Sequence, residues 1–411
     1  MCDAALQRIQ ELQFSDPDEA ASRLLPLLRE IFLLDIRNVE IRPLAVSLNS
    51  INGTLTQANG QRLFFKTHVE PDSAISEYYQ AEALSQAGWP VIRPLHSSTA
   101  WGRQLLLYEL VEDPTVFDLA WRIETGDGKQ YESLQGAQHK SDDELLDLYL
   151  RSLAWQAAEE AGAAAIHQLF WHRLTGARMS RFYGDAAAFD LPHGQFSQSE
   201  VWQARWTING QRYEESLAAL VKLASVRIRP ARPGPSIVGH GDAHNGNVFL
   251  RGGGQGMVYF DPAFAGRHHP LLDLAKPLFH NVFAMWMYFP QEKSAVTDVR
   301  ARIAADGRWH VEHNFALPAL RWMFFSSKLE RVLLPLLREL AERGWLEPDW
   351  RHQLKLALFC CPLLTMNLAD SSRFPPAISL LGLSQAVEMG AESRGQRSLL
   401  DQALDGIEAQ L

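Results

Sequence analysis

Apolar and polar residues alternate at helical spacing over residues 3–35, and "SDPDEAASRLLPLLREIFLLD" opens on the acids that suit a helix N-terminus. The spacing predicts two leading helices. From 39 to 68 the pattern turns β-branched and aromatic, with turn signals at "LNS" and "ANG", which predicts a three-stranded antiparallel meander. "SAISEYYQAEALSQAG" predicts a helix capped by Ser73 and stopped at Gly88. "WPVIRPLHSS" and "RQLLLYELVED" predict two more strands, so the first 110 residues read as a five-stranded sheet with one helix packed on it.

Beyond that point the pattern is less even. Residues 124–144 are rich in Gly, Gln and charge without visible period, and are expected to form a mobile loop or insertion. Residues 145–170 are helical by propensity and spacing. Residues 234–266 read as a β-loop-β unit, and the chain after them as almost all helix. "LKLALFCCPLLTMNLA" (354–369) holds Lys355 and Pro362 and falls short of the roughly 20 residues a membrane span needs, so it predicts a buried helix.

Composition narrows the function. The length predicts two lobes, and the formal charge of −9 disfavours a nucleic-acid or anionic-membrane partner. The basic run "VRIRPARP" (226–233) reads as a solvated connector. Cys2, Cys360 and Cys361 offer neither a spaced zinc pair nor a disulfide framework, and the first residues lack a secretion signal, so the expectation is a cytoplasmic protein.

The chemistry concentrates in "VGHGDAHNGNVFL" (238–250). "NVFL", the glycine turn "RGGGQG" and "MVYF" predict a hairpin that brings Asp242, His244, Asn245 and Asn247 close to Asp261. Asn247 and Asp261 supply hard oxygens of the kind that suit Mg²⁺. Asp242, five residues before Asn247, stands where a base is needed, in the order that phosphoryl transfer by kinases uses.

"HGDAHNGN", "YFDPAFAG" and "DLAK" together resemble the motifs of the aminoglycoside phosphotransferase family of small-molecule kinases, within the protein-kinase-like superfamily. The resemblance covers roughly residues 40–280. It implies an α+β, two-lobed protein-kinase-like fold, with an N-lobe over 1–110 and a helical C-lobe over 111–411. It implies ATP and Mg²⁺, with Asp242 as catalytic base, Asn247 and Asp261 as metal ligands, and His240 and Asp273 in support. Lys66 would grip phosphates and Glu77 would orient it, with Glu82 as the fallback partner. The backbone of Glu109 and Leu110, in the connector "YELVE", would bind adenine. The phosphate loop departs from the family pattern: "SLNSING" offers Ser50 and Asn52, with Gly53 in place of a glycine-rich run. Pro262 after Asp261 is also less usual, and leaves aminoglycosides, sugars and amino alcohols as alternative acceptors.

Plainer readings stand beside these. His240 reads as scaffold, Asp273 as the N-cap of the "LLDLAKPLF" helix, His244 as a network residue, and His268 and His269 as loop residues. "DAH" has the shape that opens a metallophosphoesterase site, but only His268, His269 and His280 lie near enough to follow it. A protein kinase needs a long activation segment, and only residues 262–272 separate Asp261 from Asp273. A catalytically silent nucleotide-binding module would lack the base or a ligand, and all three are present.

Overall fold

The structure is a computed structural model that describes residues 3–42, 51–67, 76–98, 100 and 103–411. The leading helices are α1 (Asp3–Leu12) and α2 (Pro17–Phe32), the second capped by Asp16, whose carboxylate accepts from Glu19 N at 3.1 Å. The meander follows as β1 (Ile36–Ile41), β2 (Asn52–Gln57) and β3 (Arg62–Thr67). Then come α3 (Ser76–Gln86), β4 (His96–Ser98) and β5 (Leu105–Glu109). The antiparallel sheet runs β1-β2-β3-β5-β4, the predicted five strands.

Strand alternation sorts β3 into two faces. Leu63 and Phe65 pack with Leu55, Leu107 and α2 residues Leu24 and Leu28. Phe64 and Lys66 take the other face, toward the second lobe. The strand expected from Trp89 is confined to β4, because Pro90 and Pro94 deny the ladder its donors. Residues 90–92 run instead along the second lobe's hairpin: Tyr259 N donates to Pro90 O at 2.7 Å, and Ile92 N to Tyr259 O at 2.9 Å.

Three expectations for the second lobe are corrected. Residues 124–144 are not a loop: a 3-10 turn (Gly128–Gln130) leads into a helix over Tyr131–Ser152. Its buried stripe includes Leu134, Gln138, Ser141, Asp142, Leu145 and Tyr149, and the polar members are satisfied by partners far away in sequence. Ser327 Oγ donates to Asp142 at 2.7 Å, Lys328 pairs with the same carboxylate, and Ser141 Oγ lies 3.0 Å from Tyr259 OH. The helix expected over 145–170 stops at Ser152, where Ala154–Gln156 turns into a strand on Gly234–Ser236, an edge that outweighs local propensity.

The chain after 266 also carries a hairpin, Val299–Ile303 and Arg308–His313. It joins Arg205–Ile208, Gln211–Tyr213 and Arg394–Gly395 in a second five-stranded sheet. The apolar segment at 354–369 is the buried helix Trp350–Thr365, as expected. Among the described residues no helix is long and apolar enough to cross a membrane.

Candidate active site

The strand Gly234–Gly239 pairs with Gly266–His268 and delivers the polar loop at its end. Gly241 has φ +82°, and a Cβ there would meet Phe264 O at 2.3 Å, so the turn accepts only glycine. His240 is fully buried. Its Nε2 donates to Phe260 O at 3.0 Å while Nδ1 accepts from Asp242 N at 3.3 Å, which fixes the tautomer and the loop against the hairpin. Burial pushes its pKa down, so the ring is neutral scaffold.

The loop closes on itself through backbone and amide. His244 Nδ1 accepts from Gly246 N at 3.1 Å, making it a cap of the 3-10 turn Asn245–Asn247. Asn247 Nδ2 donates to Asp242 O at 2.9 Å, which leaves Oδ1 as the atom that side chain can offer a cation. The hairpin Val248–Arg251 and Gly256–Tyr259 forms as predicted, and its pairing extends one step further, with Phe260 N donating to Asn247 O at 2.9 Å. Asn247 and Asp261 are therefore brought to the same end of the hairpin.

Asp261 is in the left-handed region at φ +58°, where few non-glycine residues sit, and its carboxylate is ion-paired with Lys66 Nζ. That carboxylate thus already holds a cation, and with Asn247 Oδ1 it forms a hard-oxygen set that fits Mg²⁺. Beside it lies an apolar seat between the lobes: Phe260 meets Phe64 edge-on at 5.6 Å and Tyr108 at 5.0 Å, with Ile92, Val111, Phe249 and Val258 in the same cluster. Glu109 ends β5 beside this seat with Leu110 next in the chain, and Asn52 is buried opposite Lys66 in the sheet. Ser50 lies outside the described residues, as do Ser73 and the Glu77 side chain, although α3 contains position 77. Glu82, the fallback partner, pairs with Arg93 at 3.3 Å.

Asp273 is corrected from cap to anchor. His269 caps the helix Pro270–His280, its Nδ1 accepting from Leu271 N at 3.3 Å, and Asp273 lies inside the first turn. Its carboxylate accepts from Gly241 N at 2.5 Å, from His268 Nε2 at 2.9 Å and from Tyr149 OH. Burial works to raise this carboxyl, but the bonds from His268, Tyr149 and Gly241 outweigh it and hold the pKa low. His268 is accordingly the buried end of a strand, not a loop residue.

Lys276 is the functional residue the sequence reading missed. It lies one turn beyond Asp273, is 4% exposed, and holds its Nζ 3.7 Å from Asp242 Oδ1 and 3.3 Å from His280 Nε2. A lysine on a helix buried all round was the available signal. Burial works to raise the Asp242 carboxyl, and Lys276, followed by His244 and Arg173, reverses this and keeps its pKa low. Asp242 Oδ1 is buried with no hydrogen-bond partner.

The family model described as "Phosphotransferase enzyme family" matches residues 55–310, a span that contains Lys66, Asp242, Asn247, Asp261, Asp273 and Lys276. The chain belongs to that family. No curated protein matches. Solved structures similar to this phosphotransferase include a protein described as fructosamine-3-kinase from Thermobifida fusca, 16% identical, covering 88% of this chain and 96% of its own, with TM-score 0.40. A macrolide 2'-phosphotransferase type I is 14% identical over 95% and 96% of the two chains, with TM-score 0.35. The aminoglycoside phosphotransferase APH(4)-Ia, in ternary complex with AMP-PNP and hygromycin B, is 11% identical over 90% and 99%, with TM-score 0.49. The family rests on the sequence match. By that membership the chain is a phosphotransferase. Among the described residues, the histidines that a dinuclear hydrolase would draw on are engaged otherwise: His268 holds Asp273, His269 caps a helix, and His280 is taken by Lys276 and Tyr288.

Proposed function

We propose that this phosphotransferase, cytoplasmic and divided into lobes near residue 110, moves the γ-phosphate of ATP to the hydroxyl of a compact alcohol. The reading is carried by one observation: the unpartnered, lysine-flanked carboxylate oxygen of Asp242 shares a hairpin end with Asn247 and Asp261. Asp242 takes the hydroxyl proton as the oxygen attacks the γ-phosphorus, the β–γ bond breaks, and ADP leaves. The low pKa of Asp242 keeps it ionised to receive that proton. His240 and Asp273 hold the loop still while this happens, and positioning of this kind supplies much of the acceleration.

Lys66 grips the nucleotide phosphates, Asn52 borders them, and the seat between Phe64, Tyr108 and Phe260 takes the purine, with the Glu109 and Leu110 backbone at its edge. Asn247 and Asp261 would hold Mg²⁺, which would supply charge neutralisation for the phosphates. The acceptor is compact because residues 262–272 are too few to seat a peptide.

An ATP-consumption screen over small alcohols, with Asp242→Ala as the blank, tests the reading. Turnover by the wild type and none by the variant is the expected result. Equal consumption by both would end it.

A further inference from the structure

The charged side chains near Asp242 away from Lys66 are the cations Lys276 and Arg173. Lys276 stands between Asp242 and His280, whose Nδ1 meets the Tyr288 hydroxyl at 2.8 Å. Burial, and then Lys276, drives the His280 pKa well down, so that ring adds hydrogen bonds and no charge. Arg173, on the helix Trp171–Thr175, acts on both Asp242 and His280.

Arg373 lies in the turn before the helix Pro376–Gly390 with its guanidinium 5.7 Å over the Phe374 ring, and Phe374 in turn meets Trp286 at 6.2 Å, on the short helix Met285–Tyr288 that carries Tyr288. The carboxylate nearest to Arg373 along the chain is Asp370, which is taken by Ser372 N at 3.1 Å and Ser372 Oγ at 2.6 Å. Arg373 Nε is buried with no hydrogen-bond partner. A buried guanidinium nitrogen without a partner is costly, and a planar donor fork matches a carboxylate or phosphate.

The wall continues away from Tyr288 as aromatic rings. Phe117 meets Tyr288 edge-on at 5.0 Å, Trp121 stacks on Phe289 at 3.8 Å, and Lys293 lies 5.3 Å over the Trp121 ring. The carboxylate on this wall, Glu124, is buried between two cations, ion-paired with Arg321 through one oxygen and with Lys293 Nζ 3.7 Å from the other, which has no hydrogen-bond partner. A polyamine acceptor would meet like charge on this side at close range, although the molecule as a whole is acidic.

We infer, building on the phosphotransfer reading above, that the acceptor is an anionic alcohol. It carries a carboxylate or a phosphate that Arg373 takes up, while its hydroxyl faces Asp242. The hydroxyl oxygen forms the new bond to the γ-phosphorus, the bond to ADP breaks, and the proton passes to Asp242.

The test is a phosphorylation assay with Mg·ATP over matched acceptors: polyols and sugars, their aldonic and uronic acids, their monophosphates, amino sugars and aminoglycosides. The carboxylate and phosphate arms identify which anion is read. The expected best substrate is an anion, and Arg373→Gln lowers kcat/KM on it about tenfold or more. The same variant leaves the KM for ATP and kcat/KM on the neutral analogue within about twofold, and Arg373→Lys restores part of the loss. A best acceptor that is neutral or cationic overturns the inference and leaves the phosphotransfer reading standing, as does a panel in which no anion is phosphorylated. Wild type and Asp242→Ala behaving alike on every acceptor would instead bring down the reading itself.

Discussion

Lys276 decides the ionisation of Asp242, because burial alone would raise that carboxyl and the ammonium 3.7 Å away reverses the effect. Replacing Lys276 with Met removes the largest charge that opposes desolvation, so the Asp242 pKa rises. The acid limb of the kcat/KM profile is expected to move to higher pH by about one pH unit or more, and Lys276→Arg to keep it in place. An unchanged limb in Lys276→Met would remove Asp242 as the group titrating there. Gly241→Ala is a second test at this scale. Its Cβ would press on Phe264 O in a backbone conformation that costs about 1–3 kcal/mol for an L side chain. A lower melting point together with lost activity is expected. Asp242, Asn247 and Asp261 were legible in the sequence because they lie close together along it and a glycine turn folds them back. Lys276 and Arg373 were not, since contacts spanning 34 residues or more give a lone cation no local mark.

The helix Tyr131–Ser152 shows why an element can hide. Its buried stripe follows the 3.6-residue period, but Gln138, Ser141 and Asp142 stand where apolar residues are expected, and the stripe reads as polar sequence. Asp142 is tied to Ser327 and Lys328, so Asp142→Ala leaves a buried ammonium without its carboxylate and is expected to cost about 3–5 kcal/mol in chemical denaturation. The double change Asp142→Leu with Lys328→Met removes both charges and is expected to cost much less; an equal cost would show that the ion pair is not what the helix loses. The hairpin at 299–313 was hidden differently. Its signal, "AADG" with Gly307 at φ +78°, was in the sequence, flanked by alternating residues, but lay inside a region read as helix. The first sheet was legible strand by strand, except where prolines 90 and 94 turned a predicted strand into a strap along the hairpin.

At the scale of the molecule, that strap joins the lobes. Trp89 Nε1 donates to Val238 O at 3.1 Å and its ring meets Tyr259 edge-on at 5.1 Å, so the segment after α3 is fixed to the strand that carries the catalytic loop. The net charge of −9 describes the surface and says little of the cleft, where cations surround Asp242. On the function proposed above, the whole arrangement is a magnesium-dependent nucleotide site built on one hairpin. Calorimetric titration of AMP-PNP, with Mg²⁺ and with a chelator, into the wild type, Asp242→Asn and Asp261→Ala tests this most directly. Metal-dependent binding is expected in the wild type and, within a few fold, in Asp242→Asn, while Asp261→Ala falls to the metal-free affinity. Magnesium-dependent binding in Asp261→Ala equal to that of the wild type would contradict it.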